Sequence, residues 1–134
     1  AFFERLIVGT GRIPIEVIVG GPSALVLARQ RQQESISGGT PCFLTSHELT
    51  FDPLGQTIHY PFASVGRRCR ALLLDRRVGA IILVLQTDEL LHTTMPIDRI
   101  NRLTKVDDHI SSITKAGVTS GSENLLSHLR AYVP

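Results

Sequence analysis

Two apolar runs on either side of a short charged break constrain the fold of this chain most. Residues 71–74 read Ala-Leu-Leu-Leu, residues 80–85 read Ala-Ile-Ile-Leu-Val-Leu, and Asp-Arg-Arg-Val-Gly separates them. Short runs of Ile, Val and Leu without polar alternation are typical of strands buried on both faces, and a polar break with Gly joins such strands as a hairpin. The pattern therefore predicts a central β-hairpin in which Leu73, Ile82 and Val84 are fully buried.

Length and composition indicate a soluble globular protein. The chain has 134 residues, of which 43% are hydrophobic and 19% are charged. A chain of this length buries enough surface for one hydrophobic core without disulfides or a structural metal, so we expect a single α+β domain over residues 1–134. The longest apolar run, residues 80–85, is far shorter than the roughly 20 residues of a transmembrane helix, so we expect no membrane contact.

The two cysteines and the first residue bear on where the protein works. Cys42 and Cys69 are too few and too widely spaced for a disulfide framework or a zinc site. Their pattern favours a reducing compartment, and we expect the protein in the cytoplasm. The chain begins with Ala1, and we expect either a domain excised from a longer protein or a processed product.

The first half of the chain shows a strand, a helix and further strands. β-branched residues predict a first strand over residues 14–19, and Gly20-Gly21 turns it into a helix. Pro22 suits the first turn of a helix, so we expect this helix over residues 22–34, with its apolar start buried and its polar second half in solvent. Residues 41–45 and 47–51 are predicted as two short strands or one bent strand, and a further strand is predicted at 57–62 after a turn at 52–55.

Two amphipathic helices are predicted at the carboxyl end. Apolar residues recur every three or four positions after Pro96, and Gly117 provides a C-terminal cap, which predicts one helix over residues 96–116. Its apolar positions are Ile97, Ile100, Leu103, Val106, Ile110 and Ile113. A last helix follows the capping-box pattern Ser120-Gly-Ser-Glu123. We expect it to bury Leu125, Leu126, Leu129 and Val133.

This order of elements is typical of an α+β domain rather than of a regular βαβ alternation. We expect five or six strands in a mostly antiparallel sheet. We expect the first strand to pair in parallel through its helical crossover. The helix from Pro96 should cover one face of the sheet, because its apolar stripe needs a partner.

The turn from the first strand into the first helix is a candidate anion site formed by Gly20, Gly21 and Ser23. A helix N-terminus after a glycine turn offers unpaired N–H groups and a partial positive charge, and phosphates are commonly held there. The chain lacks a G-x-G-x-x-G pattern and a Walker lysine, and Pro22 has no N–H to donate. We therefore favour the simpler interpretation, in which Gly-Gly-Pro only turns a strand into a helix.

The basic residues are twelve Arg and two Lys, and five of the arginines fall within eleven residues. They are Arg67, Arg68, Arg70, Arg76 and Arg77. The planar guanidinium suits carboxylate and phosphate, so this cluster is a second candidate anion or nucleic-acid site. On a strand, Arg68 and Arg70 would share a face. We favour scattered surface cations, some paired with acidic neighbours such as Asp75, because the net charge of +2 is small and aromatic residues are few.

Patterns for catalysis and metal binding are weak. Ser23 lacks the G-x-S-x-G elbow, and the five histidines show no ligand spacing, so we expect no metal and no cofactor. Asp107-Asp108, on the predicted helix, is interpreted as solvated surface. Across a hairpin turn, Cys42, His47 and His59 would approach one another, which leaves a metal site or a catalytic thiol as an alternative.

The predicted helix over 96–116 also bears on function. From Leu103 its apolar residues follow a three-four spacing that could dock a partner helix or a second copy of the chain. We therefore favour a small non-catalytic binding or assembly domain that acts through protein contacts, as a homo-oligomer or with a protein partner. The alternatives are an anion or nucleic-acid-binding domain that uses the arginines of residues 67–77, and a small enzyme with a phosphate-binding turn at Gly20–Ser23.

Overall fold

The computed structural model of the chain describes residues 13–46, 49–58, 64–87, 89–91, 95–97, 99–107 and 121–133. The strands in these ranges are β1 (Ile15–Val19), β2 (Cys42–Thr45), β3 (Thr50–Phe51), β4 (Thr57–Ile58), β5 (Ala80–Leu85) and β6 (Arg102–Lys105). The α-helices are α1 (Pro22–Ser37), α2 (Val65–Leu73) and α3 (Gly121–Arg130), and a 3-10 turn (Glu89–Leu91) follows β5.

The six strands form one sheet in the order β4-β3-β2-β5-β1-β6. The number of strands and the parallel pairing of the first strand confirm the prediction. The expected mostly antiparallel sheet is wrong, because β2, β5, β1 and β6 all pair in parallel and only the two-residue strands β3 and β4 are antiparallel. The physical reason is that β5 is apolar on both faces and β1 is apolar except for Glu16, which is typical of central strands covered by helices on each side.

The predicted central hairpin is also wrong, because residues 71–73 belong to helix α2. A run as short as Ala-Leu-Leu-Leu fits a strand and a helix equally well. The buried positions of α2 follow the helical period: Val65, Cys69 and Leu72. Ile82 and Val84 are buried as predicted, whereas Leu73 is only half-buried.

The predicted helix over 96–116 is replaced, within its described part, by strand β6. The N–H of Asn101 donates to the Ile15 carbonyl at 2.9 Å, and the N–H of Val106 donates to the Val19 carbonyl at 2.8 Å. Pairing with β1 has therefore overridden a helical apolar pattern, because tertiary contacts outweigh local propensity. Residues 108–120, which include the rest of that predicted helix and Ser120, lie outside the described residues.

Helix α3 is the one predicted terminal helix that the described residues contain. Leu125, Leu126 and Leu129 are buried as expected. Val133 was expected to be buried with them, but it is 36% exposed. It follows the helix rather than continuing it, so the helical spacing no longer places it on the buried face.

The helices cover both faces of the sheet. Alternate residues of each central strand point to opposite faces. One face packs Ile18, Ile82 and Val84 against Ala24 and Ala28 of α1. The other face packs β1, β2 and β5 against α2 and α3 through Val17, Phe43, Leu83, Cys69, Leu72, Leu125 and Leu126. None of the described helices has the length and apolar character needed to cross a membrane.

Helix α1 extends three residues beyond its predicted end, and its polar half does not lie wholly in solvent. Gln32 is completely buried. Its Nε2 donates to the Cys42 carbonyl and to the Asp52 carbonyl, each at 3.0 Å. The side chain therefore joins α1 to the start of β2 and to the turn after β3, which explains a buried amide on a helix predicted to be solvated there.

Candidate functional site

The order of the strands creates a topological switch point between β1 and β5. The chain leaves β1 through α1, on one face of the sheet. It leaves β5 through the 3-10 turn, whose Leu90 is buried with α3 on the other face. In open α/β sheets, ligands bind in the crevice outside the carboxyl ends of neighbouring strands that diverge in this way. The carboxyl edge of β1 and β5, beside β6, is therefore the candidate site.

Gly20 allows the backbone after β1 to lie close to Ala24 and Asp107 at this edge. Its φ is +156°, a conformation that residues with a side chain rarely adopt. A Cβ at this position would lie 3.1 Å from the Cβ of Ala24 and 3.2 Å from Oδ1 of Asp107. The N–H of Gly20 donates to the Leu85 carbonyl at 3.1 Å, which continues the β1–β5 ladder into the turn. Glycine is needed here so that the residues after β1, β5 and β6 can meet.

Two side chains from the neighbouring strand ends hold the peptide groups of Gly21. The N–H of Gly21 donates to Oδ1 of Asp107 at 2.9 Å, and Nε2 of Gln86 donates to the Gly21 carbonyl at 3.0 Å. Gln86 directly follows β5, and Asp107 lies two residues after β6. Three strand ends are thereby joined at one residue, immediately before α1 begins.

The predicted anion site at Gly20, Gly21 and Ser23 lies at this edge. Helix α1 starts here, but its amino-terminal partial positive charge already has the carboxylate of Asp107 beside it. An anion bound to the N–H of Gly21 would have to displace this carboxylate or lie against it. The arrangement is thus better suited to a ligand that donates hydrogen bonds than to a phosphate. Ser23 is exposed on the first turn of α1.

Sequence reasoning missed Asp107 and Gln86. The helical pattern predicts Asp107 on a solvated helix surface, and no sequence motif includes Gln86. The signal that could have found them is a polar residue just past the carboxyl end of a strand. Gln86 shows it after the predicted strand at residues 80–85, whereas Asp107 shows it only once residues 102–105 are recognised as a strand.

The amino terminus of α2 is also held by a carboxylate. Oε2 of Glu89, in the 3-10 turn after β5, accepts from the N–H of Val65 at 3.0 Å. Ser64 is the N-cap residue, and its hydroxyl accepts from the N–H of Arg67 at 3.1 Å. The amino ends of α1 and α2 are therefore each held by a carboxylate of the chain itself, and negative charge is stabilising at these positions.

The structure divides the five clustered arginines into two groups. Arg67, Arg70 and Arg76 are exposed and form no ion pair with a described residue. Arg68 instead is half-buried, and its Nη1 donates to the Ser46 carbonyl at 3.0 Å. The expectation that Arg68 and Arg70 share a strand face is wrong, because on helix α2 it is Arg67 and Arg70, three residues apart, that lie on one face.

Arg77 belongs to the engaged group. Its Nε and Nη2 donate to the two carboxylate oxygens of Asp75 at 3.1 Å and 2.8 Å, and its guanidinium lies 5.8 Å from the centre of the Phe43 ring. These hydrogen bonds from Arg77 lower the pKa of the Asp75 carboxyl. The predicted pairing of an arginine with Asp75 is therefore confirmed for Arg77, which is one of the five clustered arginines.

The two thiols are poor candidates for chemistry. Burial raises the pKa of Cys42 to about 11 and that of Cys69 to about 12, so both are protonated at neutral pH. The alternative thiol site also required His47 and His59, which lie outside the described residues. In the part of the chain that the structure describes, no group of three His, Cys, Asp or Glu side chains could hold a metal ion.

Comparison with known proteins gave no match: neither a protein-family model, nor a curated protein, nor a solved structure resembles this chain. A fold class alone does not determine function, because one α/β architecture carries many unrelated activities. What the chain binds is therefore inferred from the geometry of its own site.

Proposed function

We propose that this chain is a small binding domain that holds a polar ligand at the carboxyl edge of its sheet, between β1 and β5 and beside β6. The observation that carries this proposal is the convergence of Asp107 and Gln86 on the peptide groups of Gly21. This convergence falls at the switch point of a parallel sheet, which is where ligands of α/β domains are bound.

The chemistry of the edge favours a ligand rich in hydroxyl or amino groups. The Asp107 carboxylate is a strong acceptor for such donors, and the Gln86 amide and the Ser23 hydroxyl are neutral groups that suit a polar ligand. A phosphate would meet the negative charge of Asp107 at the same N–H. The phosphate-binding enzyme predicted as an alternative for Gly20–Ser23 is therefore the less favoured function of this edge.

Amide chemical-shift mapping by NMR tests the proposal. The uniformly 15N-labelled protein is titrated with a panel of sugars, nucleosides and polyamines, and separately with inorganic phosphate and nucleotides. We expect compounds of the first group to shift the amides of Gly21, Gln86 and Asp107 together. Shifts at these three amides with phosphate alone would favour the phosphate-binding alternative, and shifts with none of the compounds would overturn the proposal.

Protein contacts are the second candidate function, and one observation favours them. Leu74, at the end of α2, is 86% exposed and lies beside the exposed arginines of that helix. The expected homo-oligomer rested on a predicted helix over residues 96–116, and in the described residues strand β6 takes its place. Homo-oligomer formation therefore stays a prediction, and that helix no longer supports it. Two free cysteines support the proposed cytoplasmic location, since reducing compartments keep thiols free.

A further inference from the structure

The outward side of α2 carries a stripe of exposed residues. Arg67, Arg70 and Leu74 follow one another at intervals of three and four residues, which places them on one side of the helix. The backbone of Leu74, with φ −90° and ψ −8°, continues the helical conformation, so its side chain extends the stripe. Arg76 is exposed two residues later. We call Arg67, Arg70 and Leu74 the α2 face, and Arg76 lies in the turn that follows it.

The positive charge of the α2 face and of Arg76 is not compensated within the described part of the chain. None of Arg67, Arg70 and Arg76 forms an ion pair or a side-chain hydrogen bond with a described residue. The nearest acidic residue along the chain, Asp75, is hydrogen-bonded through both carboxylate oxygens to Arg77. Three guanidinium groups are thus available to carboxylates from another molecule, whereas Arg68 and Arg77 are already engaged.

We propose that the α2 face docks an acidic segment of a partner protein, in which an apolar side chain lies among the carboxylates. Guanidinium groups bind carboxylates through two parallel hydrogen bonds, so Arg67 and Arg70 fit acidic residues spaced along a peptide. Leu74 supplies an apolar contact beside them, and arginine is enriched in protein interfaces.

Leu74 also distinguishes this partner from a nucleic acid. A charged phosphate backbone offers an exposed leucine little apolar contact, and the α2 face has no aromatic side chain on which a base could stack. The proposal goes beyond ligand binding at the carboxyl edge and does not depend on it, because the residues of the α2 face are separate from Gly21, Gln86 and Asp107.

Fluorescence anisotropy with a labelled peptide tests the proposal. The probe is a short peptide of repeated Glu-Glu-Leu units, titrated with the protein at about 50 mM and about 300 mM salt. A Gln-Gln-Leu peptide and a single-stranded oligothymidine are the comparison probes. We expect the Glu-Glu-Leu peptide to bind, to weaken as salt rises, and to bind more tightly than either comparison probe.

Two double variants of equal charge separate the α2 face from net charge. Arg67→Glu with Arg70→Glu should lower the affinity for the Glu-Glu-Leu peptide by at least about tenfold, since the double variant replaces attraction with repulsion at the α2 face. The matched control is Arg99→Glu with Arg130→Glu, two exposed arginines elsewhere, and it should weaken binding by less than about threefold. Glu at position 67 completes a capping box with Ser64, so the first variant should keep its helix, which circular dichroism checks.

A third variant tests the apolar contact. Leu74→Ser should lower the affinity for the Glu-Glu-Leu peptide by about threefold or more, because the leucine of the peptide loses its apolar partner on the protein. The proposal is overturned if the Glu-Glu-Leu peptide does not bind, if both double variants lose affinity equally, or if oligothymidine binds more tightly through the same arginines.

Discussion

At the scale of single residues, Gln32 and Gly20 show what a sequence reveals and what it hides. The Gly-Gly turn after β1 is visible in the sequence, because a glycine pair between a β-branched run and Pro22 predicts a turn. The burial of Gln32 is not visible, because it depends on the carbonyls of Cys42 and Asp52, which the tertiary fold brings to it. A polar residue on a helix is expected to face solvent unless its buried hydrogen-bond partners are known.

Gly20→Ala should destabilise the fold by about 1 to 3 kcal/mol. The new Cβ meets Ala24 and Asp107 at 3.1 and 3.2 Å, and φ at this position is +156°. Urea unfolding followed by circular dichroism measures the loss. Gly38→Ala is the matched control, because Gly38 has a negative φ and its Cβ would make only ordinary contacts, so a change within about 0.5 kcal/mol is expected there. Equal losses at the two positions would contradict the close approach at Gly20.

The thiols of Cys42 and Cys69 should not react in the native state at pH 8. Burial raises their pKa to about 11 and about 12. The stability that comes from the protonated thiols is therefore fully present below pH about 9 and is lost as the pH rises toward these values. Ellman's reagent should detect far less than one thiol per native chain, and both thiols after unfolding in guanidinium. Prompt reaction of the native chain would show that the cysteines are accessible.

At the scale of elements, the strongly patterned segments were predicted and the ambiguous ones were not. Strand β1 and helix α1 form close to where β-branched residues and Pro22 placed them. The run at residues 71–74 and the apolar spacing over 97–106 each fit two secondary structures. In both cases packing decided the outcome: α2 buries Leu72 against the sheet, and β6 pairs with β1.

Leucine-to-alanine substitutions in α2 test the helical assignment. Leu72 is fully buried and Leu74 is 86% exposed, although a strand would place both on the same side. We expect Leu72→Ala to reduce the free energy of unfolding by about 2 to 5 kcal/mol. We expect Leu74→Ala to change it by less than about 0.5 kcal/mol. Similar losses of unfolding free energy at both positions would indicate a strand and would support the predicted hairpin.

At the scale of the whole molecule, the strand order creates the candidate site. The sequence pointed to Gly20, Gly21 and Ser23, which are adjacent in the chain. It could not point to the residues that meet them, because Asp107 lies 86 residues from Gly21 and Gln86 lies 65 residues from it. Only the parallel arrangement of β5, β1 and β6 brings these strand ends together, and the expected antiparallel sheet would have separated them.

Isothermal titration calorimetry of the wild type and two variants tests ligand binding at the carboxyl edge. The ligand is the sugar, nucleoside or polyamine that most strongly shifts the amides of the carboxyl edge. Asp107→Asn keeps the shape of the side chain and removes its charge, and Asp75→Asn makes the same change at a carboxylate that pairs with Arg77 away from this edge. We expect Asp107→Asn to weaken binding by about tenfold or more, since a charge-assisted hydrogen bond is lost, and Asp75→Asn to leave it unchanged. Unchanged affinity in Asp107→Asn, or an equal loss in both variants, would contradict ligand binding at the carboxyl edge.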